Sequence, residues 1–229
     1  MKTVLITGVS GNLGSAIAKK MIENNYRVIG TVIPGDPTIF DFQEDRFEKI
    51  TLDLTSESET QQAIASLLEK YGEIETAILT VGGFAAGSLS DTPGALVTRQ
   101  YELNFLTTYH VARPVFLHMK ERNNGRIFMI GARPGLQAVY NNGLVAYGLA
   151  KSLLVRLAEL MNMEAKGLDV VTSVVVPSTI DTPQNRMAMP DADFSAWVTA
   201  ADIANVIYYH CTAEAKPLRE TVINVYNNA

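Results

Sequence analysis

A glycine-rich turn close to the N-terminus limits the folds open to this chain more than any other segment. Residues 7–14 read TGVSGNLG, after an apolar run at 3–7 that predicts a buried strand and before a predicted helix from about 14 to 24. Glycines let the backbone of such a turn approach a ligand closely, because no side chain stands between them. The helix points its free N–H groups and positive dipole end at the same place, which suits a pyrophosphate. The turn therefore predicts a dinucleotide site rather than a purely structural connection.

Apolar runs alternate with helix-like segments along the rest of the chain. Further strands are predicted at 27–33, 49–52, 76–80, 126–130, 170–176 and 221–226, and further helices at about 55–71, 96–121, 145–166 and 200–211. This alternation predicts parallel strands joined by right-handed crossovers, with helices on both faces of the sheet. We predict an α/β fold: one Rossmann-type, doubly wound parallel sheet of about seven strands in a single domain over 1–229, with a dinucleotide half at about 1–95 and a catalytic and substrate half at about 96–229.

Composition narrows the classes of partner. The 229 residues are 47% hydrophobic, which is enough for one sizeable core, and the net charge of −5 without a basic cluster argues against nucleic acid and anionic membranes. No apolar run is long enough to span a bilayer or to form an export signal, so we predict a cytoplasmic protein with no membrane partner. Cys211 is the single cysteine, and the three histidines lack close ligand spacing, so neither a disulfide nor a metal site is predicted.

The pattern Y-x-x-x-K occurs at Tyr147 and Lys151, inside a predicted helix. Residues four apart lie on one face of a helix, so the two side chains are expected to be neighbours. An ammonium group beside a phenol favours phenolate, which predicts that the pKa of Tyr147 lies below its usual value of about 10. The pair is therefore a candidate proton donor to a substrate.

The turn, this pair and Asn104 together resemble the short-chain dehydrogenase/reductase family over nearly the whole chain. The resemblance implies an oxidoreductase that uses NAD(P)(H), with Tyr147 as the proton donor, Lys151 as its partner and Asn104 holding a proton-relay water. The implied cofactor-binding residues are Gly8, Ser10, Gly11, Asn12, Leu13, Gly14, Asp53, Leu54, Val81, Gly82, Gly83, Tyr147, Lys151, Pro177, Ile180 and Thr182. The glycine spacing, T-G-x-x-G-x-x-G, differs from the commonest family pattern, T-G-x-x-x-G-x-G.

The resemblance implies a specific contact for Asp53, Thr182 and Ile180, and Asp53 also has a second explanation. Asp53 resembles the family's acid that contacts adenine, although a helix cap would also explain it. Thr182, with the backbone of Ile180, is expected to contact the nicotinamide carboxamide. Neither the acid that selects NAD nor the arginine that selects NADP stands near Val32, at the end of the second strand, while Asp36 lies a few residues on. The absent arginine favours NAD(H).

The stretch where most family members carry a catalytic serine contains no hydroxyl here. Residues 130–135 read IGARPG, with Ala132 at the serine position. A carbonyl substrate would lose part of its polarisation without that donor. Tyr140 is a candidate substitute.

An alanine at this position is similar to dihydropteridine reductases, which reduce a quinonoid pterin ring. Their motifs also resemble GGFAAG at 82–87, PSTIDTPQNR at 177–186 and MPDADFSAW at 189–197. The resemblance implies a lid at about 178–198 and the substrate contacts Phe84, Ala132, Tyr140, Met187 and Trp197. The chain departs from that group in its missing acid after strand two, a segment about two residues longer before Tyr147, and the presence of Asn104.

Three functions remain open from the sequence. The first is a reductase of a small molecule such as a quinonoid dihydropteridine-like ring, and the second is a carbonyl or alcohol oxidoreductase without the usual serine. The third is a regulatory protein that binds a dinucleotide without turnover, since a fold alone does not establish catalysis. The resemblance also implies a homodimer or homotetramer formed by the helices that carry Asn104 and Tyr147.

Overall fold

Seven strands form one fully parallel sheet in the computed structural model, which describes residues 1–42 and 45–228. They are β1 (Thr3–Thr7), β2 (Arg27–Val32), β3 (Phe47–Thr51), β4 (Thr76–Leu79), β5 (Gly125–Ile130), β6 (Val170–Pro177) and β9 (Val222–Val225). Their spatial order is β3-β2-β1-β4-β5-β6-β9. The order reverses between β1 and β4, and in such sheets ligands bind outside the carboxyl ends of the strands at the reversal. The predicted doubly wound α/β fold with seven strands is confirmed.

Helices cover both faces of the sheet. They are α1 (Asn12–Glu23), α2 (Glu57–Tyr71), α3 (Gly94–Tyr101), α4 (Thr107–Arg122), α5 (Arg133–Leu136), α6 (Val145–Glu164), α7 (Pro183–Ala188) and α8 (Ala200–His210). Successive side chains of a strand point to opposite faces, so Leu5 packs in a core with α2, α4 and α6, whereas Val4 and Ile6 pack in a second core with α1 and α8. None of the helices among the described residues is long and apolar enough to cross a membrane.

The helix predicted over 96–121 forms with a local widening. A single turn of π-helix, Glu102–Leu106, joins α3 to α4 and carries Asn104. Turns of this kind occur often at functional sites, because they redirect a side chain without ending the helix. Asn104 is fully buried there.

The segment at 178–198, predicted as a lid, contains regular structure. Two short strands, β7 (Ile180–Asp181) and β8 (Val198–Thr199), pair in parallel and hold its ends together. Between them, α7 begins after Thr182, whose Oγ1 accepts a hydrogen bond from the Asn185 N–H at 3.1 Å. Pro183 takes the first helical position, where its missing N–H costs nothing. These elements are too short for apolar periodicity to reveal, although the Thr-Pro pair signals the helix start.

Candidate active site

The glycine-rich turn has a shape that larger residues could not take. Gly8 has a φ of 65°, in the left-handed region, and its carbonyl accepts a hydrogen bond from the Gly11 N–H at 3.0 Å. A Cβ atom at Gly14 would lie 2.4 Å from that carbonyl oxygen. The turn is thus packed directly against the start of α1, which leaves the N-terminal N–H groups of the helix facing the cleft at the end of β1.

A first cavity of about 470 Å³ lies over this turn, at the carboxyl ends of the central strands. Of the predicted cofactor residues, those lining it are Gly8, Ser10, Gly11, Asn12, Leu13, Gly14, Asp53, Leu54, Val81, Gly82 and Thr182. Eight further wall positions were not among the predicted cofactor contacts: Thr31, Val32, Ile33, Leu52, Thr55, Thr80, Leu103 and Thr107. The glycine cradle, the helix N-terminus and the elongated wall from the turn to Thr182 fit a dinucleotide, whose pyrophosphate the turn would hold.

Asp53 forms a compact turn at the wall of this first cavity. Its Oδ1 accepts hydrogen bonds from the Thr55 N–H at 2.9 Å and the Thr55 hydroxyl at 2.7 Å. These bonds, the backbone one first, hold the pKa of Asp53 below its usual value. The N-cap of α2 is Ser56, whose Oγ accepts from the Glu59 N–H, so Asp53 does not cap the helix directly.

The side chain of Asn104 holds the Gly82–Gly83 pair, which lies in the segment between β4 and α3. Its Oδ1 accepts from the Gly83 N–H at 3.1 Å, and its Nδ2 donates to the Gly83 carbonyl at 3.0 Å. Nδ2 also donates to the Gln100 Oε1 at 2.9 Å. A Cβ atom at Gly82 would lie 2.6 Å from Asn104 Oδ1 and 3.2 Å from Lys151 Nζ. Asn104 is therefore a positioning residue for the loop beside Lys151, and the predicted relay water stays a prediction.

Tyr147 and Lys151 lie on adjacent turns of α6, as their spacing predicts. Lys151 is buried, its Nζ donates to the Ile130 carbonyl at 2.7 Å, and Nζ lies 5.8 Å from the centre of the Tyr147 ring. Burial lowers the pKa of Lys151 to about 8 and raises the pKa of Tyr147 to about 12. The predicted lowering of the Tyr147 pKa is therefore wrong for this structure, because desolvation outweighs the neighbouring ammonium, which is directed at Ile130.

Tyr147 and Lys151 line a second cavity of about 620 Å³. The other lining residues are Phe84, Ile130, Gly131, Ala132, Arg133, Pro134, Tyr140, Leu144, Pro177, Ser178, Thr179, Ile180, Asn185, Ala188 and Met189. Three of the predicted substrate contacts, Phe84, Ala132 and Tyr140, are among them. Pro177 and Ile180, predicted as cofactor contacts, line this cavity and not the first.

Two predicted substrate contacts are not in the second cavity. Trp197 is only 6% exposed and packs on Phe194 with ring centres 4.8 Å apart. Met187 points away, with a side chain 75% exposed, and Met189 lines the cavity instead. Met187 lies in α7 and Met189 caps the C-terminal end of this helix, an arrangement that the predicted lid segment did not show.

Arg133 lines the second cavity and was overlooked by sequence reasoning. It adjoins Ala132, the position of the missing serine, and its guanidinium lies over the rings of Tyr140 and Tyr226 at 5.0 and 5.3 Å. The sequence feature that could have identified Arg133 is a cationic residue in an otherwise apolar loop that follows a strand. Asn185 was missed as well, since its wall position depends on α7.

Comparison with known proteins identifies the family of the chain. Residues 2–193 match the family described as short chain dehydrogenase. The chain is 25% identical to a dihydropteridine reductase of Dictyostelium discoideum, over 97% of this chain and 93% of that one. It is 24% identical to the 3-oxoacyl-[acyl-carrier-protein] reductase FabG of Escherichia coli (strain K12), over 98% and 95%.

Solved structures share the fold along the whole chain. The structure described as ElxO with NADP bound superposes with a TM-score of 0.89 at 22% identity, covering 98% of this chain and 96% of that one. A short-chain type dehydrogenase/reductase from Mycobacterium ulcerans superposes with a TM-score of 0.86 at 19% identity, covering 99% and 89%. With the family match over 2–193, the chain belongs to the short-chain dehydrogenase family and is an NAD(P)-dependent oxidoreductase.

Proposed function

We propose that this chain reduces a small planar quinonoid ring, of the dihydropteridine kind, with NADH as the hydride source and Tyr147 as the proton donor. The observation that carries the proposal is the contact of Phe84 with Tyr147 at the wall of the second cavity, which Ala132, without a hydroxyl, also lines. The ring centres are 5.3 Å apart at an angle of 63°.

Phe84 supports a planar substrate. Its side chain is 68% exposed although it lines the cavity, and it follows directly on the Gly82–Gly83 pair held by Asn104. An exposed aromatic ring at a cleft gains free energy when a flat apolar ligand covers it. A ring bound there would lie against Phe84 and within reach of the Tyr147 hydroxyl.

The absent serine supports a quinonoid rather than a simple carbonyl substrate. Reduction of an isolated carbonyl carbon develops charge on one oxygen, which a fixed donor must stabilise. A quinonoid ring spreads the incoming electron pair over conjugated atoms and becomes aromatic, so it depends less on a second donor. The cofactor, when bound, supplies the hydride; Tyr147 gives the proton, and Lys151 holds a positive charge beside the phenolate that remains. The similarity to a dihydropteridine reductase at 25% identity supports the same substrate class.

The first cavity supports a preference for NAD(H). None of the described residues that line it is basic, so a 2′-phosphate would meet no cation there. Asp36 lies at its rim, where its Oδ2 accepts from the Ser10 hydroxyl at 2.6 Å and its Oδ1 from the Thr38 N–H at 2.8 Å. The hydrogen bond from Ser10, and then those from Thr38, hold the pKa of Asp36 below its usual value, so a carboxylate lies beside Ser10 of the glycine-rich turn.

The segment 178–198 is proposed to act as the lid over the nicotinamide. Gln184 on α7 accepts a hydrogen bond from Asn12 Nδ2 at 3.0 Å, which links the segment to the glycine-rich turn. Thr182 lines the first cavity and Asn185 the second, so α7 spans the junction of the two. Association through the long helices is proposed too, because Leu149 and Leu153 on α6 and Tyr101 on α3 are exposed.

A carbonyl reductase is the second candidate. Tyr140 supports it, since this half-exposed residue lines the same cavity as Tyr147 and carries a hydroxyl that could polarise a carbonyl. The similarity to a 3-oxoacyl-[acyl-carrier-protein] reductase points the same way.

The deciding experiment is stopped-flow oxidation of NADH, and separately NADPH, with quinonoid dihydropterin, simple quinones and simple ketones. Wild type, Tyr147→Phe and Tyr140→Phe are run in parallel. We expect rapid turnover of the quinonoid substrates with NADH, a loss of kcat of about 100-fold or more in Tyr147→Phe, and little change in Tyr140→Phe. Turnover of ketones alone, lost in Tyr140→Phe, would establish the second candidate instead.

A further inference from the structure

Gln100 is a buried polar residue that is linked to both cavities through Asn104. It is the penultimate residue of α3 and is only 3% exposed. Its Oε1 accepts a hydrogen bond from Asn104 Nδ2 at 2.9 Å, and its backbone carbonyl accepts from the same nitrogen at 3.3 Å. A buried polar group is costly without a partner, and the Asn104 amide is the partner of the Gln100 side-chain oxygen.

These contacts stabilise one orientation of the Asn104 amide. Its Nδ2 faces the two oxygens of Gln100 and the Gly83 carbonyl, whereas its Oδ1 faces the Gly83 N–H. Turning the amide over would bring Oδ1 against two backbone carbonyls and Nδ2 against a backbone N–H. Because Gln100 Oε1 accepts the shortest of these hydrogen bonds, its loss would weaken the preference for the observed orientation.

The Gly82–Gly83 pair is the place where this orientation affects the site. A Cβ atom at Gly82 would lie close to both Asn104 Oδ1 and Lys151 Nζ, so the backbone there is packed between the two side chains. Gly82 lines the first cavity, and Phe84, which follows the pair directly, lines the second. A small displacement of this backbone would therefore change the walls of both cavities.

The far end of the same loop is held in a different way. The Gly87 N–H donates to the Gly143 carbonyl at 2.7 Å, and the Gly87 carbonyl accepts from the Val145 N–H at 3.2 Å, at the start of α6. These bonds join backbone to backbone and do not involve Asn104. Phe84 thus lies between two anchors, and the one nearer to it depends on an amide side chain.

We propose that Gln100 is a positioning residue that acts through Asn104. It holds the Asn104 amide in the orientation that fixes Gly83, and the fixed backbone sets the position of Phe84 at the wall of the second cavity. The inference about the loop is independent of the substrate, whereas the expected effect on turnover rests on the proposed function.

The direct test is amide hydrogen exchange at Gly83, measured by NMR on isotope-labelled protein, with Gly87 as the internal reference. Gln100→Met removes the acceptor and keeps a side chain of similar length. Thr108→Val is the matched control, because the buried Thr108 hydroxyl donates to the Asn104 backbone carbonyl at 3.5 Å. This control removes a buried polar group beside Asn104 and leaves the hydrogen bonds of the Asn104 amide in place.

We expect Gln100→Met to speed exchange at Gly83 by about three- to tenfold, the effect of one lost hydrogen bond, and Thr108→Val to leave it unchanged. Unchanged exchange at Gly87 reports that both variants are folded. In an Asn104→Ala background the Gly83 N–H has already lost its acceptor, so Gln100→Met should add nothing. Unchanged exchange at Gly83 in Gln100→Met, equal acceleration at Gly87, or a full effect without Asn104 would each overturn the inference.

The effect on turnover is measured separately, as oxidation of NADH with quinonoid dihydropterin. We expect Gln100→Met to lower kcat/KM by about three- to tenfold and Thr108→Val to leave it unchanged. If the wild type does not turn this substrate over, the proposed function fails, and hydrogen exchange still decides the role of Gln100. Faster exchange at Gly83 with no loss of kcat/KM in an active enzyme would overturn the positioning role.

Discussion

The two cavities along the carboxyl edge of the sheet are built in different ways. The first takes its shape from backbone, since it is centred on the turn at residues 7–14, where a Cβ atom at Gly14 would meet the Gly8 carbonyl. The second takes its chemistry from side chains, Tyr147 and Lys151 on α6 together with Phe84 and Tyr140 from other parts of the chain. The first cavity is therefore a dinucleotide cradle of a kind that many proteins can share, whereas the second sets the choice of substrate.

The difference predicts different consequences of mutation. In the first cavity an added atom acts by steric overlap and changes both the cofactor affinity and the folding free energy. In the second, a substitution acts mainly through pKa values and proton transfer. The following predictions test this separation, in order of expected effect.

Gly14→Ala is the sharpest test of the first cavity. The new Cβ atom would lie 2.4 Å from the Gly8 carbonyl oxygen, and backbone on both sides must move to relieve the overlap. We expect the free energy of unfolding to fall by about 1–3 kcal/mol, and NADH affinity to fall with it. Urea unfolding and NADH titration measure the two effects.

Gly94→Ala is the control for this test. Gly94 begins α3, and nothing lies within 4 Å of a Cβ atom placed there. Alanine is the better helix former, so this variant should be neutral or slightly stabilised and bind NADH as wild type does. Equal losses in both variants would show that the turn is not sterically constrained.

The same contrast explains how much the sequence could predict. The seven strands, the long helices and most of the first cavity were predictable, because apolar alternation and glycine spacing act over neighbouring residues. The interior of 178–198 was not, since α7 and the β7–β8 pair are short and depend on capping and on contacts far along the chain.

The electrostatics of the second cavity were the least predictable part. The Y-x-x-x-K spacing placed Tyr147 and Lys151 together, but the direction of their pKa shifts depends on burial and on the Ile130 carbonyl, which spacing does not report. The position of Arg133 at the cavity wall depends on how α5 packs on α6, which a sequence pattern does not report. Trp197 looked like a wall residue and is part of the protein interior.

The lowered pKa of Lys151 predicts the pH dependence of the second cavity. As the pH rises through about 8 the lysine loses its proton, while Tyr147, with a pKa of about 12, keeps its own. We expect kcat/KM for quinone reduction to be level below about pH 7 and to fall about tenfold per pH unit above 8, since the neutral amine no longer stabilises phenolate. Steady-state rates at saturating NADH measure this profile.

Lys151→Arg and Lys151→Met provide the controls for the profile. Arginine remains charged throughout this range, so any activity it retains should lose the falling limb. Folding gives an independent readout: between pH 8 and 9 the unfolded chain binds the lysine proton and the folded chain does not, so the free energy of unfolding should rise with pH. Above pH 9 the buried Cys211 thiol, whose pKa burial raises to about 12, opposes this rise. Lys151→Met should lack that rise; an unchanged rise would place its origin elsewhere.

Asp36→Asn tests the smallest expected effect, at the rim of the first cavity. The carboxylate of Asp36, fixed by Ser10 and Thr38, repels a 2′-phosphate bound near Ser10. Because Asp36 is half-buried at the protein surface, solvent and salt still screen this repulsion, and we expect only a roughly three- to tenfold rise in the ratio of kcat/KM for NADPH to that for NADH. The rise should shrink as salt is added. The matched control is Asp41→Asn, which removes the same charge from an exposed position further along the same connection. A similar rise in both variants would mean that net charge alone acts on the cofactor, and that the contact with Ser10 has no part in choosing it.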